Sequence, residues 1–244
     1  MNTNPLDKQT VVITGAAGGI GFAIVERLSN LGANVIAITR SNVENLQQRL
    51  NQLPGTHCAV LGDVVNTSSI QAIADQLDNC DMLINCAGIS KTIPHKNLED
   101  LTDEFFDEIL TVNLRSTFSV IRTFNPLLKK SQNGLIINIS STSAIKPGVG
   151  SNIAYTAAKA GIENMTKNLA LALAPEIRVV SVCPGAVDTE FLDLSKDTCN
   201  RIADATPLKR IATPEDIASA VEAIATLMKF TTGNCFVIDG GKML

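Results

Sequence analysis

Residues 10–21 read TVVITGAAGGIG, in which a short β-branched run passes directly into a cluster of glycines. The run predicts a buried strand, Val11–Thr14, and the apolar residues from Ile20 onward predict a helix. Glycines at such a turn let the backbone approach a pyrophosphate closely, and the unpaired N–H groups of the helix attract it. The spacing is G-x-x-x-G-x-G, not the commoner G-x-G-x-x-G, so a plain tight turn is the alternative. The position before the first helix favours a dinucleotide site, with predicted contacts at Gly15, Gly19, Ile20 and Gly21.

Short apolar runs continue to alternate with helical stretches along the chain. The predicted strands are Val11–Thr14, Asn34–Thr39, His57–Leu61, Met82–Asn85, Leu135–Ile139, Arg178–Cys183 and Cys235–Ile238. The predicted helical segments are Ile20–Leu31, Val43–Leu53, Ser68–Leu77, Glu104–Leu128, Ala154–Leu173 and Pro214–Met228. Continuous apolar strands between helices indicate a parallel sheet covered on both faces, and crossovers in such sheets are right-handed. The sequence therefore predicts an α/β architecture, a three-layer doubly wound Rossmann fold with a seven-stranded parallel sheet.

No linker rich in Pro, Gly or Ser divides the chain, so residues 1–244 are expected to form one domain. The least regular stretch is residues 190–208, which follows a predicted strand. In an open α/β sheet this position lies near the carboxyl ends of the strands, so we expect a lid over the substrate. Thr213-Pro214-Glu215-Asp216 is typical of a helix start, and Thr67 or Ser68 is expected to cap the third helix.

Composition excludes several classes of function. The chain has a net charge of −4 and no cluster of Lys or Arg, which argues against a nucleic-acid partner. The polar N-terminal residues lack the layout of a signal peptide, and the uncharged run Thr10–Val25 is too short to span a membrane. The cysteines are scattered without a C-x-x-C pair, and the only histidines are His57 and His95, so no metal or disulfide framework is expected. We expect a cytoplasmic protein that acts on a small molecule.

The end of the second strand predicts which dinucleotide binds. It reads Ile38-Thr39-Arg40-Ser41, about 20 residues past the glycines, where such folds contact the adenosine ribose. A carboxylate there would favour NAD, but none is present. Arg40 can instead hold a 2′-phosphate by charge-assisted hydrogen bonds, and Thr39 adds a hydroxyl. Unless Arg40 is merely an exposed charge at a strand end, the cofactor is NADP(H), with NAD ranked below it.

Tyr155 and Lys159 are four residues apart in a predicted helix, which places both side chains on one face. A free tyrosine titrates near ~10, too high for efficient proton transfer at neutral pH. A neighbouring ammonium, together with an oxidised nicotinamide, is expected to lower the pKa of Tyr155. The pair therefore predicts an acid/base tyrosine, although Y-x-x-x-K alone suits a solvated helix face equally well.

Further motifs follow in order. They are Asp63-Val64 after the third strand, Asn85-Cys86-Ala87-Gly88 after the fourth, Asn113 in the long helix, Asn138-Ile139-Ser140-Ser141 ending the fifth strand, and Pro184-Gly185 through Thr189 after the sixth. Together with the glycine turn and the Tyr155–Lys159 pair, this ordered set resembles the short-chain dehydrogenase/reductase family, in its single-domain branch, over essentially the whole chain.

The resemblance implies a role for each matching residue. Tyr155 exchanges a proton with the substrate oxygen, and Ser141 orients that oxygen. Lys159 holds the nicotinamide ribose, and Asn113 interrupts its helix and supports a water relay. The implied cofactor contacts are Asp63 and Val64 at the adenine, Asn85, Ala87 and Gly88 beside the adenosine ribose, and Val187 and Thr189 at the carboxamide, with Pro184 and Gly185 next to them.

Two departures from the family pattern stand out. Cys86 replaces the second Asn of its motif. The interval from Ser141 to Tyr155 is 14 residues, one more than the pattern, so Thr142 is an alternative source of the catalytic hydroxyl.

The resemblance implies a reductase or dehydrogenase of carbonyl and alcohol substrates, akin to carbonyl reductases and 3-oxoacyl-acyl-carrier-protein reductases that act on an acyl thioester. The alternative is a non-catalytic nucleotide-binding regulator that retains the fold, which the complete set Asn113, Ser141, Tyr155 and Lys159 disfavours. A homotetramer or homodimer through the long helices is also implied. Residue types alone identify neither the substrate nor its stereochemistry.

Overall fold

The computed structural model describes residues 4–147, 151–192 and 194–244. The strands in these residues are β1 (Thr10–Thr14), β2 (Asn34–Thr39), β3 (His57–Leu61), β4 (Met82–Asn85), β5 (Gly134–Ile139), β6 (Ile177–Pro184) and β7 (Cys235–Ile238). The α-helices are α1 (Gly19–Asn30), α2 (Val43–Leu50), α3 (Thr67–Ala74), α4 (Asp103–Leu110), α5 (Ser116–Leu128), α6 (Ile153–Leu173), α7 (Lys196–Asp204) and α8 (Pro214–Thr226). Short 3₁₀ turns lie at Leu98–Asp100 and Thr142–Ala144.

The sheet confirms the predicted fold. All strands are parallel in the order β3-β2-β1-β4-β5-β6-β7, and each predicted strand is present to within one residue at either end. The direction in which strands are added reverses between β1 and β4. The loops that follow these two strands therefore diverge and open a crevice at the carboxyl edge, which is where ligands bind in this class of sheet.

Helices cover both faces of the sheet. On one face the buried side chains of α1, α2 and α8 form a core that includes Leu28, Leu46 and Val221. On the other face α3, α5 and α6 pack around Phe124, which is fully buried. Because β4 and β5 are buried on both faces, their sequences are continuous apolar runs and do not alternate.

The predicted helix Glu104–Leu128 is interrupted. A π turn at Thr111–Arg115 separates α4 from α5. The side chain of Asn113 donates from Nδ2 to the carbonyl oxygen of Ile109 at 3.0 Å within this wider turn. The interruption that the family resemblance implied at Asn113 is therefore present, as a π turn inside a continuous helical rod.

Two local predictions were wrong. Residues 190–208, predicted to be irregular, contain α7, which Ser195 caps by accepting from the N–H of Thr198; residue 193 lies outside the described residues. No residue of α7 is buried, so its sequence carries no apolar period. Asn66, and neither Thr67 nor Ser68, caps α3. The predicted cap at Thr213 is confirmed and forms a capping box with Asp216.

None of the helices in the described part of the chain combines the length and the apolarity needed to cross a bilayer.

Candidate active site

A cavity of about 470 Å³ lies at the carboxyl edge of the sheet and extends from Arg40, past the glycine turn, to Tyr155. Its walls contain every site residue predicted from the sequence except Asn85. We call the residues around the first strand-to-helix turn the glycine half; these are Thr14–Gly21, Thr39, Arg40, Asp63 and Val64. We call Asn113, Ser141, Tyr155 and Lys159 the tyrosine half.

The glycine half is shaped by the absence of side chains. Gly15 has φ +66°, and a Cβ there would lie 2.8 Å from the Cα of Ala87. A Cβ at Gly21 would overlap the carbonyl oxygen of Gly15, and one at Gly19 would lie 2.6 Å from Cγ2 of Thr189. The turn thus presents bare backbone at the start of α1, which is the surface that a pyrophosphate group requires.

The cationic end of the cavity contains Arg40, whose side chain is exposed. The hydroxyl of Thr39 is engaged elsewhere, since it donates to the carbonyl oxygen of Ser41 at 2.9 Å. A second cation, which the sequence analysis missed, is Arg49 on α2, which lies outside the cavity lining but contacts the glycine turn. Its guanidinium lies 3.4 Å above the ring of Phe22 and donates to the carbonyl oxygen of Ala17 at 3.2 Å. Arg49 lies nine residues after Arg40 and belongs to no motif, so the sequence alone could not have identified its contact with the glycine turn.

Asp63 and Val64 follow β3 and line the same end. The carboxylate of Asp63 accepts from the N–H of Val65 at 3.0 Å, which holds the loop in a tight turn. One oxygen of Asp63 is therefore committed to the loop.

Asn85 does not line the cavity, contrary to the sequence prediction. Its side chain is buried in the sheet, where Nδ2 donates to Oδ1 of Asn138 on the neighbouring strand at 2.9 Å. Asn138 in turn donates to the hydroxyl of Thr166 on α6 at 2.9 Å. Successive side chains of a strand point to opposite faces, and here the pleat directs Asn85 toward α6 and away from the crevice. Asn85 therefore links β4, β5 and α6.

In the tyrosine half, Asn152 determines where the helix that carries Tyr155 begins. Its Oδ1 accepts from the N–H of Tyr155 at 2.8 Å, and its Nδ2 donates to the carbonyl oxygen of Lys91 at 2.9 Å. The sequence analysis missed this residue, although an Asn three positions before Tyr155 is a recognisable capping signal. The Tyr155 ring packs among apolar residues of α4 and α6, with the ring of Phe191 6.2 Å away.

Lys159, Asn113 and Gly88 meet below Tyr155. Nζ of Lys159 donates to the carbonyl oxygen of Ile139 at 2.8 Å. Asn113 holds the loop after β4 by exchanging hydrogen bonds with the backbone of Ile89, at 2.9 and 3.2 Å. A Cβ at Gly88 would lie 2.7 Å from Oδ1 of Asn113 and 4.0 Å from Nζ of Lys159. A side chain at position 88 would therefore collide with the carboxamide of Asn113.

Burial dominates the titration of both key groups in the protein by itself. It raises the pKa of Tyr155 to about 12, although a hydrogen bond from Ser141 lowers it. Burial lowers the pKa of Lys159 to about 8. We expected the ammonium of Lys159 to lower the pKa of Tyr155, but loss of solvation of the phenolate raises it instead.

Ser141 and Thr142 both line the cavity, but their surroundings differ. The hydroxyl of Ser141 is hydrogen-bonded to Tyr155 and also accepts from the N–H of Ser143 at 3.1 Å. Thr142 begins the 3₁₀ turn that Ser141 caps. Of the two hydroxyls, that of Ser141 is therefore the one placed against Tyr155.

The far wall of the cavity comes from the segment after β6. The N–H of Gly185 donates to the carbonyl oxygen of Ile238 at 3.0 Å, and Val187 forms an isolated bridge with Ala212. The predicted lid contributes Phe191, Leu192, Leu194 and Ile202 to the lining, with Lys146 and Lys242 at its polar margin. This end of the cavity, next to Tyr155, is therefore largely apolar.

Comparison with known proteins agrees with this geometry. The profile of the family described as enoyl-(acyl carrier protein) reductase matches residues 15–242. The 3-oxoacyl-acyl-carrier-protein reductase of Rickettsia bellii is 33% identical over 242 residues, which cover 98% of each chain.

Solved structures show the same similarity. The 3-oxoacyl-acyl-carrier-protein reductase of Brucella melitensis superposes with a TM-score of 0.90 at 28% identity, covering 99% of this chain and 93% of that one. A further reductase structure of that description from the same organism, solved with bound NAD, has a TM-score of 0.88 at 27% identity, with coverage of 99% and 93%.

Proposed function

This chain belongs to the short-chain dehydrogenase/reductase family of oxidoreductases, and we propose that it is an NADP(H)-dependent enzyme that transfers a hydride between nicotinamide and a carbonyl or secondary alcohol. The observation that carries the proposal is the hydrogen bond between half-buried Ser141 and buried Tyr155, at one end of a cavity whose other end is a bare glycine turn. We propose residues 1–244 as one catalytic domain, with residues 190–208 covering the substrate.

The residues present fit a dinucleotide. Gly15, Gly19 and Gly21 have no room for a Cβ, which would collide with Ala87, Thr189 and Gly15 respectively. The turn is therefore tight and presents backbone N–H groups that suit a pyrophosphate. The adenosine would lie against Asp63, Val64, Ala87 and Gly88, and the nicotinamide against Lys159, Pro184, Gly185, Val187 and Thr189. When bound, the nicotinamide supplies or accepts the hydride.

Tyr155 would supply the proton in reduction and remove it in oxidation. At neutral pH its phenol is protonated, so it is ready to donate to a carbonyl oxygen. Ser141 would donate a second hydrogen bond to that oxygen and fix its position before charge develops. Lys159 and Asn113 would stabilise the phenolate and return the proton through water, since both adjoin Gly88 below the tyrosine.

Arg40 supports NADP(H) as the preferred cofactor. The cavity wall contains Arg40, whereas the carboxylate that a 2′-hydroxyl would need at the end of β2 is missing. Arg49 lies outside the lining, bonded to the carbonyl oxygen of Ala17 in the glycine turn. The NAD-bound relative keeps NAD as the competing assignment.

The relatives named above are 3-oxoacyl-acyl-carrier-protein reductases, which supports a 3-oxoacyl thioester as a substrate. Exposed apolar residues on the long helices, Phe118 on α5 and Leu171 on α6, support a homotetramer or homodimer. Light scattering on the purified protein distinguishes these assemblies from a monomer.

The test follows absorbance of NADPH, and in parallel NADH, while the purified protein meets a panel of ketones, aldehydes and an acetoacetyl thioester. Consumption of NADPH well above that of NADH is the expected result. Tight NADPH binding without turnover of any carbonyl would contradict the proposal and favour a nucleotide-binding regulator.

A further inference from the structure

Three potential metal ligands that do not line the cavity meet between α6 and the last two strands. Glu163 on α6, Cys183 on β6 and Cys235 on β7 place a carboxylate oxygen and two sulfurs within 4.8 Å of one another. Glu163 and Cys183 are buried, and Cys235 is partly exposed at the edge of the sheet. A carboxylate is rarely buried in a sheet core unless it is paired.

Hydrogen bonds hold this carboxylate in place. The hydroxyl of Ser181 donates to Oε2 of Glu163 at 2.8 Å, and the thiol of Cys183 donates to Oε1 at 3.1 Å. The sulfurs of Cys183 and Cys235 are 2.9 Å apart. The cluster therefore presents one oriented carboxylate and two adjacent sulfurs, a donor set that suits zinc and softer divalent cations.

The register of the sheet argues against a disulfide between the two cysteines. Cys235 pairs with Ser181, and Cys183 pairs with Val237, so the cysteines are diagonal neighbours on adjacent strands. Strand rise and spacing put such Cα atoms about 8 Å apart. A disulfide cannot bridge Cα atoms more than about 7 Å apart without backbone movement. A bridging cation tolerates the longer span, because sulfurs about 2.3 Å from a tetrahedral Zn²⁺ lie about 3.8 Å from each other.

We propose that Glu163, Cys183 and Cys235 form a binding site for a thiophilic divalent cation of the Zn²⁺ class. Both thiols lose their protons to water on binding, the two thiolates and the carboxylate coordinate the cation, and a water molecule completes the tetrahedron. The cation enters past Cys235, and Ser181 orients the carboxylate from outside the coordination sphere. None of the three ligands has a role in the proposed hydride transfer.

The sequence analysis found no metal-binding pattern and predicted no metal site, so a cation bound here would contradict that prediction. Its ligands are 20 and 52 residues apart along the chain, so no short spacing identifies them. They converge only because α6 packs on β6 and β6 pairs with β7.

The experiment uses the full chain, reduced, treated with a chelator and then freed of it. Cd²⁺ is titrated while the ultraviolet thiolate-to-metal charge-transfer band is recorded, and Zn²⁺ content is measured after gel filtration. The wild type is expected to bind one cation per chain with a saturating band. Cys235→Ser should lose the band, and Ser181→Ala should bind about tenfold more weakly. Cys58→Ser and Cys199→Ser are matched controls that should bind as the wild type does.

Circular dichroism confirms that each variant is folded, and Ser181→Ala provides a second test should Cys235→Ser be unstable. No band in the wild type, or an undiminished band in folded Cys235→Ser, would overturn the site. A Cys183–Cys235 disulfide found by peptide mapping of air-exposed protein would overturn the geometric argument. None of these readouts depends on turnover, so they stand apart from the test of the reductase.

Discussion

The two halves of the cavity reach their shapes by opposite means. The glycine half is built from backbone, and its glycines let segments pack where a Cβ would collide with Ala87, Thr189 or Gly15. In the tyrosine half, backbone carbonyl groups of Ile139 and Ile89 hold the buried side chains of Lys159 and Asn113. The side chain of Asn152 holds the start of the helix that carries Tyr155. Backbone geometry follows from local sequence, whereas buried side chains depend on several elements at once. The first half is therefore easier to predict, and the second is easier to disrupt.

The largest expected effect tests whether chemistry belongs to the tyrosine half alone. Tyr155→Phe removes the proton that the substrate oxygen needs, so kcat should fall by about 10²–10⁴-fold. NADPH affinity, measured by fluorescence titration, should stay within about twofold, because the glycine half is untouched. Turnover close to wild type would remove Tyr155 from the mechanism. Ser141→Ala and Thr142→Ala form a matched pair, of which only the first should lower kcat.

The second prediction concerns the free energy of unfolding that is lost by burying the ammonium group of Lys159 in the tyrosine half. Burial lowers the pKa of Lys159 from 10.5 to about 8, so between these values the unfolded chain binds more protons than the folded one. The free energy of unfolding therefore rises with pH across this window. Lys159→Met should remove up to about 3 kcal/mol of that rise in urea denaturation at pH 8 and 10.5. Lys129→Met, at an exposed lysine, is the control, and equal pH slopes in both variants would contradict the assignment.

The third prediction returns to the glycine half, where specificity depends on an exposed charge. Arg40→Asp should lower the ratio of kcat/KM for NADPH over NADH by about 10–100-fold, since hydrogen bonds to a charged group contribute about 1.5–3 kcal/mol. Lys129→Asp makes the same charge change at the opposite edge of the sheet and should leave the ratio unchanged. An unaltered ratio in Arg40→Asp would mean either that Arg49 binds the 2′-phosphate in its place or that the preferred cofactor is NAD.

The fourth prediction tests backbone space directly. A Cβ at Gly21 would overlap the carbonyl oxygen of Gly15, whereas one at Gly18 would have that oxygen at 3.5 Å, an ordinary contact. Gly21→Ala should therefore lower the free energy of unfolding by about 1–3 kcal/mol. Gly18→Ala should stay within about 0.5 kcal/mol. Equal losses of unfolding free energy in the two variants would mean that the turn can shift to accommodate a Cβ, so that packing does not require glycine at position 21.

The smallest expected effect separates helix capping from positioning. Asn152→Ala and Asn66→Ala each remove an N-cap bond, to Tyr155 and to Ser69, and each should cost about 1 kcal/mol of stability. Only Asn152→Ala should also lower kcat, because it frees the helix that carries Tyr155. A normal kcat in that variant would show that packing alone positions the tyrosine.

Much of the fold followed from local pattern. The β-branched runs identified every strand to within one residue, because a buried parallel strand has few alternatives to a continuous apolar run. The sequence analysis missed α7 because none of its residues is buried, and its sequence therefore lacks the helical period of apolar residues that a buried face produces. Asn85 was assigned to the cavity by its motif, yet the pleat of β4 directs it to Asn138.

By itself the sequence determined the strand–turn–helix at residues 10–30, the alternation that specifies a parallel sheet, and the helical spacing that puts Tyr155 and Lys159 on one face. These features depend on residues a few positions apart, whose geometry the backbone hydrogen bonds impose. Only the tertiary structure decided the burial that raises the pKa of Tyr155 to about 12, the cation–π contact of Arg49 with Phe22, and the meeting of Glu163, Cys183 and Cys235. Those depend on which elements pack together, and in a sheet of order β3-β2-β1-β4-β5-β6-β7 the partners of a side chain are set by strands and helices distant along the chain.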